Sequence, residues 1–188
     1  MTDLPRVIGL DLSLAATGLA ELADDNALVT KTIRSVPAGE GVYASHARLR
    51  GILSQVWEHV TRDGPYPTLV VLEGPSYNSR GAGTWDRAGL WWLVVDTLTC
   101  TLGCPRIPVA VVPPAVLKKY ATGRGTADKT AMAVALAKRT DGLELRDDNQ
   151  VDAFWLAAAG RDRLGHPYLA LPQAQRDVLA KADWPEVG

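Results

Sequence analysis

The sequence predicts an α/β fold in which a mixed five-stranded sheet is flanked by helices. Early in the chain, short runs of apolar and β-branched residues are separated by polar turn residues, which is typical of antiparallel strands. Later, segments with apolar residues at helical spacing alternate with single strands, which indicates crossover connections and parallel strands. The length of 188 residues fits one domain, and the net charge of -1 argues against a uniformly basic protein.

Strands dominate the first part of the chain. They are expected at residues 6–12, 17–22 and 28–35, and residues 23–26 form the hairpin turn between the last two. Residues 42–61 carry apolar or small side chains at helical spacing, so they predict the first helix.

Helices dominate the second part. A strand rich in β-branched residues is predicted at 68–72, and a strand at 107–112 is closed by two prolines. The predicted helices occupy residues 85–102, 126–139 and 149–162, with a short terminal helix at 171–182. This order of elements is that of the RNase H-like fold. We expect residues 1–164 to form that domain and residues 165–188 to form a tail or short helix of the same domain.

Two predicted strands each end in a single acid. Asp11 ends the strand in VIGLDLS, and Glu73 ends the strand in TLVVLEGP. A charge in such a strand is costly unless it is paired or binds a metal, although Asp11 alone also fits a carboxylate that caps a nearby loop. The carboxyl ends of neighbouring strands lie at one edge of a sheet, where open α/β sheets bind ligands. Since like charges repel, a cation between the two acids is the natural arrangement.

A third acid is expected from the helix in RDDNQVDAFWLAAAG, whose apolar face must pack on the sheet. Asp152 precedes the apolar run and is the first candidate. At ~100° per residue, Asp148 lies about 40° from Asp152, Asn149 about 60° to the other side, and Asp147 about 140° away. Asp148 is therefore the second candidate, with helix capping as its alternative, and Asn149 offers a neutral oxygen. Asp147 is expected to cap the helix.

These oxygen ligands favour Mg²⁺, with Mn²⁺ able to substitute, over zinc. Two such ions ~3.5–4 Å apart suit in-line phosphoryl displacement. One ion activates a water molecule, and the other stabilises the leaving oxygen.

Positive charge is concentrated in residues 118–139. Six basic residues stand against the single acid Asp128, a net of +5: Lys118, Lys119, Arg124, Lys129, Lys138 and Arg139. Gly123 and Gly125 let the backbone approach a phosphate closely, and Thr126 is expected to cap the following helix, whose N-terminus favours anions. The segment predicts a phosphate-binding surface. Its alternative is a solvated loop and helix face.

Four segments together resemble the RuvC-like Holliday junction resolvases, and a bacteriophage version in particular: IGLDLSLAATGLA, VVLEGP, VVPPAVLKKYATGRGTADKTAM and DDNQVDAFWLA. The resemblance covers roughly residues 7–161. It implies a homodimer that uses Mg²⁺ to cut two opposed strands of a four-way DNA junction and leaves ligatable 5′-phosphate ends.

The resemblance also implies roles for individual residues. Asp11, Glu73 and Asp152 correspond to three of the family's four acids. The fourth place, three residues before the last acid, holds Asn149 here, with Asp148 one residue earlier. Lys118 and Lys129 match the family's lysines at the scissile phosphate, and Tyr77, one place later than in the family, is the candidate for the aromatic that stacks at the junction centre. Three further basic residues are expected to bind nucleic acid: Arg80, Lys119 and Arg124.

The helix at 85–102, with Trp91 and Trp92, resembles the family's dimer helix, and the alternative for these tryptophans is the core of the monomer. The predicted catalytic residues are Asp11, Glu73, Asp148, Asp152 and Lys129.

The predicted function is metal-dependent, structure-selective cleavage of branched DNA. One alternative is a nuclease of the same fold that acts on single-stranded DNA or RNA, and another is a non-catalytic nucleic-acid-binding module. Sugar and acetate kinases share the Gly-x-Asp and Thr-Gly pattern, but they need two such domains, which 188 residues cannot supply.

No segment predicts a signal peptide or a membrane helix, and the cysteine content does not indicate a disulfide framework. We therefore expect a cytoplasmic protein, in the host cytoplasm if it is phage-encoded. We expect it to bind neither a membrane nor a nucleotide cofactor.

Overall fold

A computed structural model describes residues 4–37, 39–62, 64–75, 83–100, 104–140, 143, 145 and 147–186. Its five strands are β1 (Val7–Asp11), β2 (Ala16–Leu22), β3 (Leu28–Arg34), β4 (Leu69–Glu73) and β5 (Val109–Val112). They form one sheet in the order β3-β2-β1-β4-β5. The first three strands pair antiparallel, whereas β4 is parallel to both β1 and β5. The predicted mixed five-stranded sheet is confirmed.

The helices are α1 (Val42–Val60), α2 (Thr84–Cys100), α3 (Pro114–Thr122), α4 (Lys129–Ala137), α5 (Asp148–Arg163) and α6 (Gln173–Arg176), followed by a 3-10 helix (Asp177–Lys181). None of the helices in the described part of the chain combines the length and apolar character needed to span a membrane.

Helix α3 was not predicted, because two prolines were expected to end the strand and begin a loop. In the structure, Pro113 is the extended N-cap residue and Pro114 is the first helical residue, where a missing backbone N–H costs nothing. Gly123 ends α3 in the left-handed conformation, with φ of 82°. This helix places Lys118 and Lys119 in a regular element rather than a loop.

Helices cover both faces of the sheet. On one face, α1 and α2 pack against a buried cluster that includes Ile8, Leu10, Val70 and Leu72. The other face carries Val7, Leu69, Val71 and Val112 and is covered by α3, α4, α5 and the C-terminal segment. Because both faces are buried, β1 and β4 are continuous apolar runs until their last residue.

Helix α5 lies unusually close to β1 and β2. A Cβ atom on Gly9 would lie 2.1 Å from the carbonyl oxygen of Ala153, and one on Gly18 would lie 2.0 Å from that of Asn149. Any side chain at these positions would push the helix away. The two glycines therefore determine how closely the first turns of α5 approach the ends of β1 and β2.

The C-terminal segment packs on the same core as α5. Leu169, Val178 and Leu179 are buried in that cluster. Asp183 pairs with Val111 through two backbone hydrogen bonds, each with an N···O distance of 2.9 Å. The segment therefore covers part of the edge of β5.

Candidate metal-binding active site

The last residues of two neighbouring parallel strands are both acids. Asp11 ends β1 and Glu73 ends β4. Successive side chains of a strand alternate between its faces, so Asp11 lies on the face of Val7 and Gly9, which α5 covers. By the same alternation, Glu73 lies on the face of Val71. Both carboxyl groups are thus directed to the side of the sheet that carries α5.

Asp152 is the third member of the group. It is the fifth residue of α5 and is half-buried. The close approach of α5 at Gly9 and Gly18 places it beside the end of β1. The sequence prediction that an acid from this helix joins Asp11 and Glu73 therefore agrees with the arrangement of the elements.

The pKa values of the three acids show that they share one electrostatic environment. Burial, then the charge of Asp152, raises the pKa of Asp11 to about 6, although Lys129 opposes the shift. Burial, followed by the charges of Asp11 and Asp152, raises the pKa of Glu73 to about 7. Burial also raises the pKa of Asp152, with Lys129 acting against the shift. The charges of Asp11 and Asp152 therefore make it harder for Glu73 to ionise, and the charge of Asp152 does the same for Asp11.

The carboxyl groups do not converge on one point. Within the described residues, no three His, Cys, Asp or Glu side chains are arranged so that they could hold a metal ion. The donor type nevertheless fits a hard divalent cation, because carboxylate oxygens are its preferred ligands and the acids at this edge repel one another when ionised.

Asp147 caps α5, as its position in the sequence predicted. Its side chain accepts a hydrogen bond from the backbone N–H of Gln150 at 3.1 Å. It also accepts bonds from Thr32 at 2.7 Å and Arg34 at 2.9 Å. Burial opposes ionisation, but these bonds outweigh it and lower the pKa of Asp147. Asp147 thus has its own partners.

Asp148 and Asn149 differ in their surroundings. Asp148 is exposed and lies 3.6 Å from the ammonium group of Lys129, in an ion pair whose side chains are 56% and 62% exposed. Such a pair contributes little to stability. Asn149 is half-buried, and its backbone carbonyl approaches Gly18. Asp148 also contributes to the raised pKa of Asp152, so its charge reaches the acidic group.

A polar network on β3 positions the start of α5 and was not predicted from the sequence. The hydroxyl of Thr32 donates to Asp147 and accepts from the side-chain amide of Gln150 at 2.9 Å. Thr30 donates to the Gln150 side chain at 3.1 Å. The signal in the sequence is the alternation of Thr30, Thr32 and Arg34 on one face of a strand in which only Ile33 is buried.

The lysines predicted to contact phosphate lie on α3 and α4. Lys129 is the first residue of α4, and its charge acts on all three acids. Lys118 is half-buried on α3, and its charge lowers the pKa of Glu73 and Asp152. The structure therefore brings these two lysines to the acidic group. Lys119 is exposed on the same helix as Lys118.

The predicted cap of α4 is wrong. Asp128, not Thr126, is the N-cap residue, because its side chain accepts from the backbone N–H of Ala131 at 2.8 Å. The two glycines of the segment also have roles within the chain. Gly123 ends α3, and a Cβ on Gly125 would lie 3.2 Å from the carbonyl oxygen of Ala115.

Arg124 is exposed in the loop between α3 and α4. It lines an open cleft of about 550 Å³ together with Lys138 and Arg139. This cleft retains the positive character that the sequence predicted for the segment. Tyr77 and Arg80, the other predicted DNA contacts, lie outside the described residues.

The tryptophans of α2 divide between core and surface. Trp85 is 89% exposed and Trp92 is 65% exposed. Trp91 is half-buried, and its indole N–H donates to the backbone carbonyl of Glu73 at 3.1 Å. Burial of α2 in the monomer is carried mainly by Leu90, Val94 and Leu98.

The strand order and the helices on both faces of the sheet are those of the RNase H-like fold. Among solved structures, the chain is similar to RuvC of Thermus thermophilus, with 20% identity over 88% of this chain and 99% of that chain, and a TM-score of 0.64. The structure of T. thermophilus RuvC in complex with a Holliday junction substrate gives 22% identity over 88% of this chain and 99% of that chain, and a TM-score of 0.66.

No protein-family model and no curated protein sequence matches the chain. The structural similarity confirms the RNase H-like fold and the predicted resemblance to RuvC at the level of the fold.

Proposed function

We propose that the chain is a metal-dependent, structure-selective endonuclease that resolves four-way or other branched DNA junctions. The observation that carries this proposal is that Asp11, Glu73 and Asp152, from three separate elements, lie near one edge of the sheet, close enough for the charges of Asp11 and Asp152 to raise the pKa of Glu73. The fold is that of RuvC, one structure of which was determined with a Holliday junction substrate. Branched DNA is therefore the substrate class that the fold and the acidic site favour together.

Mg²⁺ is the proposed cofactor, as two ions per site, with Mn²⁺ able to substitute. Asp11, Glu73 and Asp152 would hold the metal, and either Asp148 or Asn149 would complete the site. Holding an ion requires the carboxylates to move closer together than they now stand. Bound divalent ions would supply an activated water and neutralise charge on the leaving oxygen.

The basic side chains have distinct proposed tasks. Lys129 and Lys118 act on the acids through their charge, so they are placed to bind the phosphate that is cut. Lys119 and Arg124 would bind phosphates farther along the strands. Phosphate contacts of this kind position DNA without reading its sequence, so selectivity for a branch would come from shape. Tyr77 and Arg80 remain proposed contacts at the branch.

A homodimer is proposed through the exposed face of α2. Trp85 and Trp92 are largely exposed there, and Tyr43 at the start of the neighbouring α1 is 88% exposed. Several exposed aromatic side chains on packed helices are typical of an interaction surface. A second copy would give two active sites, which two opposed cuts require. Sedimentation equilibrium of the full chain tests this part of the proposal.

The proposed activity is tested with end-labelled DNA and RNA. The protein is incubated with Mg²⁺ and a four-way junction, a Y-fork, a linear duplex, or single-stranded DNA and RNA of matched sequence, and the cuts are mapped. We expect paired cuts on opposed strands of the junction, no cuts in the linear duplex, and no activity after chelation of the metal.

Two outcomes would contradict the proposal. Cleavage of single strands alone would assign the site to another nucleic acid. Binding of the junction without cleavage in either Mg²⁺ or Mn²⁺ would favour a non-catalytic module.

A further inference from the structure

A hydrogen bond from α2 reaches the strand end that carries Glu73. The Trp91 indole N–H donates to the Glu73 carbonyl oxygen, with an N···O distance of 3.1 Å. Trp91 packs against the cluster on the α1 and α2 face of the sheet, whereas α5 covers the opposite face. Trp91 therefore contacts the end of β4 from the side opposite the acidic group.

The carbonyl of Glu73 lies at the point where β4 is no longer paired with β1. Pairing between β1 and β4 ends at Leu10 and Leu72, one residue before Glu73. Pairing with β5 continues through Glu73 and Val112, and the backbone N–H of Gly74 donates to Val112 at 2.9 Å. Trp91 supplies a partner for this partly buried carbonyl, next to which the pairing of β4 with β1 has ended.

A surface pocket of about 470 Å³ opens beside this strand end, lined in part by Pro75, Trp91, Trp92 and Pro113. Backbone next to an open pocket has fewer neighbours than backbone in a close-packed interior. The indole hydrogen bond is a directional restraint at that point.

We propose that Trp91 is a positioning residue for Glu73. Its N–H fixes the backbone at the end of β4, and this gives the Glu73 side chain a defined position from which it can join Asp11 and Asp152 around a divalent ion. The inference rests on the proposed function and deepens it, because it assigns α2 a part in the metal site. Groups that orient metal ligands commonly contribute about 10–100-fold in metal affinity or activity.

The experiment removes the N–H and keeps the ring. Trp91 is replaced site-specifically by 3-benzothienylalanine, in which sulfur takes the place of the indole N–H, and separately by Trp91→Phe. The matched control is Trp184→Phe, because the Trp184 indole N–H also donates to a backbone carbonyl, that of Leu179, at 2.7 Å in the C-terminal segment. Mn²⁺ is titrated calorimetrically into each DNA-free protein, and thermal unfolding and metal-free junction binding are recorded.

We expect the Kd for Mn²⁺ to rise about tenfold in both Trp91 variants and to stay within about twofold of wild type in Trp184→Phe. Junction binding without metal should be unchanged in all three variants. Trp91 variants that unfold at lower temperature but bind Mn²⁺ as wild type does would overturn the inference and leave the proposed function standing. A wild-type protein that neither binds Mn²⁺ nor cuts a junction would overturn the proposed function, and this inference with it.

Discussion

Carboxylates lie near both ends of β1, and their pKa values shift in opposite directions at the two ends. Glu21 pairs with Ile8 in the sheet and is 1% exposed. Arg6 donates two hydrogen bonds to it at 3.0 and 3.1 Å, His59 lies 2.7 Å away, and Arg62 donates at 2.8 Å. Burial opposes ionisation, but the bonds with His59, Arg6 and Arg62 outweigh it and lower the pKa of Glu21 to about 2.

At the other end, Asp11 and Glu73 are half-buried, yet their pKa values rise to about 6 and about 7. Burial raises the pKa of the carboxylates at both ends. The difference in pKa therefore comes from the charged and hydrogen-bonding groups near each carboxylate. Lys118 and Lys129 lower the pKa of Glu73 only through their charge, and neighbouring acids act against them. Basic side chains that contact Glu21 balance its charge, whereas the lysines near Glu73 act on it only through their charge, which is why we propose a cation from outside for the acidic site.

The largest expected effect is a loss of DNA cleavage when the acidic end of β1 is changed. Asp11→Asn should lower the rate of junction cleavage by more than about 100-fold, since even groups that only support metal ligands contribute about 10–100-fold. Junction binding should stay close to wild type, because it comes mainly from phosphate contacts made by basic side chains. Single-turnover cleavage and gel-shift titration with the same labelled junction measure both quantities.

If Asp11→Asn cuts the junction as fast as wild type, the assignment of the acidic site is wrong. If it loses junction binding together with cleavage, Asp11 supports the fold or the DNA surface rather than the chemistry.

The sequence predicted the sheet and the acids because both depend on local patterns. Apolar runs that end in one charged residue revealed β1 and β4, and their parallel pairing placed Asp11 and Glu73 together. Asp152 followed from the direction of the apolar face of α5. The glycines that bring α5 close, Gly9 and Gly18, show no pattern of their own, because their role depends on a helix more than 130 residues away.

The parts that escaped prediction depend on contacts between distant segments or on competing local signals. Thr32 and Gln150 meet only when β3 and α5 pack. The bond from Trp91 to Glu73 runs from a side chain to a backbone carbonyl, which a residue pattern does not encode. Helix α3 was missed because Pro113 and Pro114 were interpreted as a terminator rather than as a helix start.

The second prediction concerns stability at the paired end. Glu21→Gln leaves the buried Arg6 guanidinium without its carboxylate, and losing one member of a buried ion pair costs about 3–5 kcal/mol. We expect a loss of that order in the free energy of unfolding, measured by urea denaturation at pH 7. The cleavage rate of the folded fraction should be unchanged, since Glu21 lies away from the acidic site.

The matched variant at the other end is Asp11→Asn in metal-free buffer. It removes one of the mutually repelling carboxylates, so the free energy of unfolding should not fall. If the Asp11→Asn protein were as unstable as Glu21→Gln, the carboxylates at both ends of β1 would stabilise the fold. The proposed difference between the two ends would then be wrong.

The smallest expected effect is the pH dependence of the metal-free protein. The pKa of Asp11 rises from 3.8 to about 6 and that of Glu73 from 4.5 to about 7, so the folded state binds more protons than the unfolded state between these values. Stability should therefore fall as pH rises from about 4 to about 7. The contribution of Glu21 to stability has the opposite pH dependence. Its lowered pKa gives stability that is lost only as pH falls below 4.5 toward about 2.

Unfolding curves at pH 5 and pH 8, with and without Mn²⁺, measure this contrast. Metal binding needs ionised carboxylates, so Mn²⁺ should stabilise the protein more at pH 8 than at pH 5 and should offset the decline. A metal-free stability that rises between pH 5 and pH 8 would mean that the acids at the sheet edge are paired inside the protein, as Glu21 is. The cation would then have no uncompensated charge to bind, and the physical reason for a metal site at this edge would be gone.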